Sequence, residues 1–80
     1  MDKPSVTIFT TPSCVYCKMA KEFFKKNNVT YQERDAASDA AAREEMVKKS
    51  GQFGVPVIEI DGKIIIGFDQ QRLKEALGIS

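Results

Sequence analysis

The stretch SVTIFTTPSCVYCKMAKEFFKK, residues 5–26, decides the fold of this chain. Its first six residues are mostly β-branched or apolar and carry no charge, which is typical of a strand buried on both faces. Pro12 ends the strand, and Ser13 is a suitable N-cap for a helix. In the second half, two rows of apolar side chains repeat every four residues opposite a row of lysines. This pattern predicts an amphipathic helix that Asn27 and Asn28 end.

The remaining sequence predicts five more elements. They are a strand over residues 29–34, a helix that Ser38 caps and Gly51 ends, strands over residues 57–60 and 63–66, and a helix from Asp69 to Gly78. A helical crossover makes the first two strands parallel, and the Asp61-Gly62 turn makes the last two antiparallel. The order β-α-β-α-β-β-α therefore predicts an α/β fold. We expect one mixed four-stranded sheet with helices on both faces, in a single domain over residues 1–80.

Composition narrows the classes of partner. The 80 residues are 42% apolar and 29% charged, which is typical of a globular chain, and the net charge of +1 favours neither nucleic acid nor a membrane surface as a partner. The first 34 residues carry six Lys or Arg against three acids, which mildly favours thiolates and anionic ligands near the cysteines. No leader-like or membrane-spanning apolar run is visible, so we expect a cytoplasmic monomer in which a disulfide forms reversibly.

The two cysteines of the chain, Cys14 and Cys17, lie three residues apart at the predicted helix start. The free N–H groups and the dipole at a helix N-terminus stabilise a thiolate, which is the form that attacks disulfides. We therefore expect Cys14 to be exposed and nucleophilic. Cys17, one turn further in, is expected to be more buried and to resolve the mixed disulfide. Tyr16 between them can shield the site and contact a bound thiol peptide.

Other interpretations of the cysteine pair are less favourable. A structural disulfide across so short a loop would restrict the unfolded chain very little. A metal site would need ligands from elsewhere, because the chain has no histidine and no second cysteine pair. Two buried core thiols would not fit the exposed helix start. Val55-Pro56 is a candidate cis peptide bond at a strand start, although an ordinary trans proline is the more frequent case.

Together these pieces resemble a glutaredoxin, within the thioredoxin superfamily. The resemblance covers residues 5–77. Its motifs are Thr7-Ile8-Phe9-Thr10, Cys14-Val15-Tyr16-Cys17, Gly54-Val55-Pro56-Val57, Ile60-Asp61-Gly62-Lys63 and Gly67-Phe68-Asp69. The resemblance implies a thioredoxin fold with Pro56 in the cis form, Cys14 as nucleophile and Cys17 as resolving thiol.

The resemblance also implies a groove for glutathione or a substrate cysteine. Val55 would pair its backbone with the cysteinyl part of glutathione, and Asp69 would take the ammonium of its γ-glutamyl end. Gln52 would reach a carboxylate. The residues expected along the groove are Tyr16, Gln52, Val55, Pro56, Gly67, Phe68 and Asp69. No metal site and no tightly bound cofactor are expected, and glutathione would be a co-substrate.

Several positions depart from the pattern that is common in the family. Pro is replaced by Val15, Lys by Thr11, Thr by Gly54 and Gly by Ile66. These departures favour the glutaredoxin-like redoxins that take electrons from thioredoxin reductase, whereas Asp69 and Tyr16 favour glutathione. The sequence leaves the reductant open.

The hypothesis from the sequence is a dithiol–disulfide oxidoreductase that reduces protein disulfides or glutathione mixed disulfides. Ribonucleotide reductase and peroxide-reducing enzymes are plausible clients, with glutathione or thioredoxin reductase as the electron source. The alternative is a module that binds a [2Fe–2S] cluster between two protomers through Cys14 and glutathione, because the missing proline at Val15 leaves room beside Cys14.

Overall fold

The computed structural model describes residues 4–79 of the chain. Its elements are strand β1 (Val6–Thr10), helix α1 (Val15–Lys26), strand β2 (Gln32–Asp35), helix α2 (Ala40–Ser50), strands β3 (Val57–Ile60) and β4 (Lys63–Ile66), and helix α3 (Gln70–Leu77). This order confirms the predicted sequence of elements. The ends of the proposed domain, residues 1–3 and residue 80, lie outside the described range.

The four strands form one mixed sheet in the order β2-β1-β3-β4. β1 is parallel to β2 and antiparallel to β3, and β3 is antiparallel to β4. Phe9 near the end of β1 pairs with Val57 at the start of β3, and Val57 pairs with Ile66 at the end of β4. The loop after β1, the segment before β3 and the segment after β4 therefore lie at the same end of the strands.

The core lies on both faces of the sheet. Neighbouring residues of β1 point to opposite faces, so Ile8 packs with α1 and Leu73 of α3, whereas Phe9 packs with Met46 of α2. This arrangement confirms the predicted fold, with helices on both faces of the sheet. No helix within residues 4–79 is long and apolar enough to cross a membrane.

Two helix starts differ from the predictions. Cys14, and not Ser13, is the N-cap of α1, and its sulfur accepts the N–H of Cys17. Asp39, and not Ser38, is the N-cap of α2, and its carboxylate accepts the N–H groups of the first helical turn. A carboxylate carries a full negative charge against the helix dipole, and this makes it the stronger cap.

The second strand is also shorter and later than predicted. Val29 donates its N–H to the carbonyl of Phe24 at 2.8 Å, so this part of the chain still closes the end of α1. Asp35 belongs to β2, and its side chain accepts the N–H groups of Ala37 and Ser38 in the following turn. The Asp61-Gly62 hairpin is confirmed, because both residues have the positive φ that a tight hairpin turn requires.

Helix α2 is joined to the sheet both by apolar burial and by ion pairs. Its buried side chains are Ala42 and Met46. Glu45 lies 2.9 Å from both Arg34 of β2 and Lys49, and Lys49 lies 2.6 Å from Glu59 of β3. These four charged side chains connect the helix to two strands of the sheet.

Candidate active site at the two cysteines

The two cysteines lie at the start of α1. This is the end of the strands where the loop after β1, the segment before β3 and the segment after β4 come together. The Sγ of Cys14 accepts a hydrogen bond from the N–H of Cys17 at 3.1 Å. Both are free thiols; Cys14 is partly exposed, and Cys17 is only 1% exposed. The N–H bond and the helix dipole both favour negative charge on the sulfur of Cys14.

The environment of Cys17 has the opposite effect. Burial, followed by the side-chain hydrogen bond between the two cysteines, raises the pKa of Cys17 from its ordinary value to about 12. The Thr11 backbone and the Lys21 ammonium lower it by smaller amounts. Cys17 is therefore a neutral thiol near pH 7. The site pairs one accessible sulfur at a positive helix end with one buried, protonated sulfur.

The segment before β3 lies beside the cysteine loop. The Val55-Pro56 peptide bond is cis, as the family resemblance implied. The Pro56 carbonyl accepts the N–H of Gly67 at 2.8 Å, which joins this segment to the start of the Gly67-Phe68-Asp69 segment. The structure thus brings together the cysteine loop and both backbone segments of the predicted groove.

Two residues of the Gly67-Phe68-Asp69 segment have structural roles of their own. Asp69 is the N-cap of α3: its Oδ1 accepts the N–H of Arg72 at 3.2 Å, and its Oδ2 lies 3.8 Å from the Arg72 guanidinium. Phe68 packs edge-on against Phe23 with ring centroids 6.0 Å apart, and both rings line a groove of about 350 Å³ between α1 and α3. Tyr16 is 60% exposed at the start of α1.

The predicted contact of Gln52 with a glutathione carboxylate stays a prediction, because the Gln52 amide keeps one N–H beyond its bonds within its own loop. The Gln52 side chain folds onto its own loop, where it accepts the N–H of Gly54 at 2.6 Å and donates to the Gly54 carbonyl at 2.9 Å. Phe53 between them is 73% exposed and lines a groove of about 590 Å³ along α2. That groove contains neither cysteine.

A cluster that the sequence interpretation missed lies one helical turn below Cys17. Thr10, 2% exposed at the end of β1, donates its hydroxyl to Glu33 Oε2 at 2.9 Å, and Lys21 Nζ lies 2.9 Å from the same oxygen. Lys21 follows Cys17 by four residues, so the two side chains share one face of α1. That spacing was visible in the sequence, but the β1–β2 register that brings Glu33 to Thr10 was not.

Comparisons with known proteins agree with this geometry. The family model described as Glutaredoxin matches residues 6–65. The chain is 42% identical over 72 residues to an uncharacterized glutaredoxin-like 8.6 kDa protein in the rubredoxin operon of Clostridium pasteurianum, covering 90% of this chain and 96% of the relative. It is 40% identical over 74 residues to Glutaredoxin 3 of Escherichia coli K12, covering 92% and 89%.

Solved structures give the same result. A crystal structure of a thioredoxin-like protein aligns with a TM-score of 0.86 and 37% identity, covering 91% of this chain and 100% of the other. The crystal structure of a buckwheat glutaredoxin–glutathione complex aligns with a TM-score of 0.73 and 27% identity, covering 94% of this chain and 71% of the other.

Proposed function

Because this chain belongs to the glutaredoxin family and is therefore a thiol–disulfide oxidoreductase, we propose that it reduces protein disulfides or glutathione mixed disulfides through Cys14 and Cys17. The observation that carries the proposal is the contrast between the two sulfurs. Cys14 is accessible and accepts an N–H bond at a helix N-terminus, whereas Cys17 is buried one turn away. This contrast suits a nucleophile and a resolving thiol.

In the first step the Cys14 thiolate attacks one sulfur of the substrate disulfide. A bond forms between Cys14 and that sulfur, the substrate disulfide breaks, and the other sulfur leaves as a thiolate that takes a proton from water. The Cys17 N–H and the helix dipole stabilise the attacking thiolate before this step.

In the second step Cys17 loses its proton and attacks Cys14. The Cys14–Cys17 disulfide forms, and the reduced substrate leaves as a thiol once it is protonated. Two electrons have then passed from the dithiol to the substrate. The sulfurs need little backbone movement to bond, because they are one helical turn apart.

The substrate would lie along Val55 and the Gly67-Phe68-Asp69 segment, with Tyr16 at the rim. Support for glutathione as co-substrate comes from the structural similarity to the buckwheat glutaredoxin–glutathione complex. The Gln52 amide bonds to Gly54 and the Asp69 carboxylate caps α3, and each keeps hydrogen-bonding capacity for a ligand. Thioredoxin reductase is the alternative electron source, which the departures from the family pattern at Thr11, Val15, Gly54 and Ile66 favour.

A coupled NADPH-oxidation assay tests the proposal and identifies the reductant. One arm supplies glutathione with glutathione reductase, and the other supplies thioredoxin reductase alone. We expect turnover in at least one arm and none with Cys14→Ser. Cys17→Ser should retain only reactions that release substrate to glutathione. Ser13→Ala is the matched control, since Ser13 does not cap α1; loss of activity there, or full activity of Cys14→Ser, would contradict the proposal.

We further propose that residues 1–80 act as one domain and as a monomer in the cytoplasm. Clients would be disulfide-forming enzymes such as ribonucleotide reductase or peroxide-reducing enzymes. The [2Fe–2S] hypothesis stays a prediction from the sequence. Anaerobic reconstitution with iron, sulfide and glutathione tests it, since a colourless monomer after this treatment would exclude cluster binding.

A further inference from the structure

The cluster of Thr10, Lys21 and Glu33 lies next to the resolving cysteine, and the reaction steps described above do not use it. Lys21 Nζ and Thr10 Oγ1 each lie 2.9 Å from Glu33 Oε2, so one carboxylate oxygen holds both groups. Thr10 is buried immediately before the cysteine loop, and its hydroxyl fixes the position of the Glu33 carboxylate. Glu33 in turn fixes the ammonium of Lys21 one turn from Cys17.

The second step of the exchange requires such a charge. Cys17 is 1% exposed, and a buried sulfur loses the hydration that would stabilise its thiolate. The helix dipole is concentrated at the first turn and favours Cys14 more than a residue one turn further in. A cation on the same helix face as Cys17 supplies the missing stabilisation.

We propose that Lys21 is a positioning residue for the resolving step: its ammonium, held by Glu33, stabilises the thiolate of Cys17 as that sulfur attacks the Cys14 mixed disulfide. The inference rests on the proposed resolving role of Cys17. The bond changes are unchanged: the Cys14–Cys17 bond forms, and the bond from Cys14 to the substrate sulfur breaks. The proton of Cys17 goes to water, and the leaving thiolate takes one up. Lys21 keeps its proton throughout.

The charges around Lys21 and Cys17 agree with the proposed role of Lys21. Lys21 lowers the pKa of Cys17, whereas burial raises it. The hydrogen bond to Glu33 raises the pKa of Lys21, so that Lys21 stays an ammonium, and the same bond lowers the pKa of Glu33. Glu33 is therefore an anion near pH 7 and is the ion-pair partner of Lys21.

Other titratable groups face the pair from two elements. On α1 there is Cys14, and on β2 and the segment before it there are Tyr31, Glu33 and Asp35. Lys18 and Lys25 precede and follow Lys21 on the same helix. β1 contributes the uncharged hydroxyl of Thr10. Within the cluster, the Lys21 ammonium is the group that favours the thiolate of Cys17, and the Glu33 carboxylate bonded to it partly offsets its charge.

The test separates the two steps with a nitrobenzoate disulfide whose thiolate is coloured. The first coloured equivalent reports attack by Cys14, and the second reports resolution by Cys17. Stopped-flow traces are recorded across pH for the wild type and for Lys21→Met, Lys21→Arg and Lys25→Met. Lys25→Met is the matched control, because it removes the same charge from the same helix one turn further from Cys17.

In Lys21→Met we expect the second release to slow about three- to tenfold near pH 7, the size expected for one partly screened charge a helical turn away. Its pH profile should also move to higher pH. The first release should be unchanged, and Lys21→Arg should restore the second. An unchanged second release in Lys21→Met, or equal slowing in Lys25→Met, would overturn the inference.

A second measurement covers the case in which Lys21→Met folds poorly. The same stopped-flow traces are recorded for Lys21→Gln, whose amide can still bond to Glu33. Its second release should slow as in Lys21→Met while the first is unchanged, and an unchanged second release would overturn the inference. If the wild type itself gives no second release, the proposed resolving role of Cys17 is wrong. That result is distinct from a failure of the inference about Lys21, in which the wild type gives both releases.

Discussion

The sulfur of Cys14 accepts the N–H of Cys17 at 3.1 Å, so that one cysteine caps the helix that carries the other. The atom proposed to attack disulfides is thus also the atom that satisfies the first turn of α1. The Cys14 side chain therefore has a proposed role in the reaction and a role in the stability of α1. Substitutions at Cys14 can measure the two roles separately.

The capping role predicts different stabilities for two inactive variants. Cys14→Ser keeps a side chain that accepts the N–H of Cys17, whereas Cys14→Ala does not. We expect Cys14→Ala to be less stable than Cys14→Ser by about 1 kcal/mol, the usual value of an N-cap. Urea unfolding under reducing conditions measures the difference. Equal midpoints for the two variants would show that the Cys14 cap contributes nothing to folding.

The unequal exposure of the two sulfurs predicts selective alkylation. Iodoacetamide near pH 7 should modify Cys14 alone, because Cys17 is buried and burial raises its pKa to about 12. Mass spectrometry with peptide mapping should find one adduct per folded chain and two after unfolding in guanidinium. Equal labelling of both cysteines in the folded protein would contradict this arrangement.

The ion pairs of α2 predict a dependence of stability on pH. Hydrogen bonds from Lys49 and then Arg34 lower the pKa of Glu45. A lowered pKa means that the stabilisation is present above the ordinary value for Glu and is lost as pH falls through the value in the folded state. We expect Glu45→Gln to lower the free energy of unfolding by about 1 kcal/mol near pH 7. The loss should be smaller near pH 3.

Glu44→Gln is the control for this measurement. Glu44 lies on the same helix and makes no ion pair within the described part of the chain. Urea titrations of both variants at several pH values decide the matter. If Glu44→Gln and Glu45→Gln lose the same stability at every pH, the ion pairs do not hold α2.

The loop before Pro56 predicts coupling between Gln52 and Gly54. A Cβ at Gly54 would lie 2.6 Å from Gln52 Oε1, so Gly54→Ala should displace the Gln52 side chain and break both of its bonds to the loop. Gln52→Ala breaks the same bonds directly. A double-mutant cycle should therefore give clearly less than additive losses of stability, with a coupling of about 0.5–1 kcal/mol. Strictly additive losses would show that the two residues act independently.

Sequence reasoning succeeded where a local pattern determines structure. The rows of apolar residues defined α1, Gly51 marked the end of α2, and Asp61-Gly62 marked the hairpin. It was wrong at Ser13 and Ser38, because each helix begins one residue later than those caps would require. An adequate capping residue in a sequence does not show which of two adjacent candidates the chain will use.

The sequence also left side-chain partners undetermined. It suggested Gln52 as a ligand for glutathione, but that side chain bonds to Gly54 two residues away. It placed the lysines of α1 in one row opposite the apolar side chains, and did not show that Lys21 is bound to Glu33. Both outcomes depend on how backbone segments approach one another, which no local pattern records.

The sequence by itself determined the order of the elements, the position of both cysteines at a helix start and the family of the chain. The order and the position follow from periodicity, turn residues and spacing, which act over a few residues, and the family follows from the resemblance of the motifs to those of a glutaredoxin. The burial of Cys17 was already expected from its place in the helix, and the structure confirms it. Only the packing of β1 against β2 brought Lys21, Glu33 and Thr10 together one helical turn from Cys17. Burial and charge pairing act across the sheet, and they join residues that the chain itself keeps far apart.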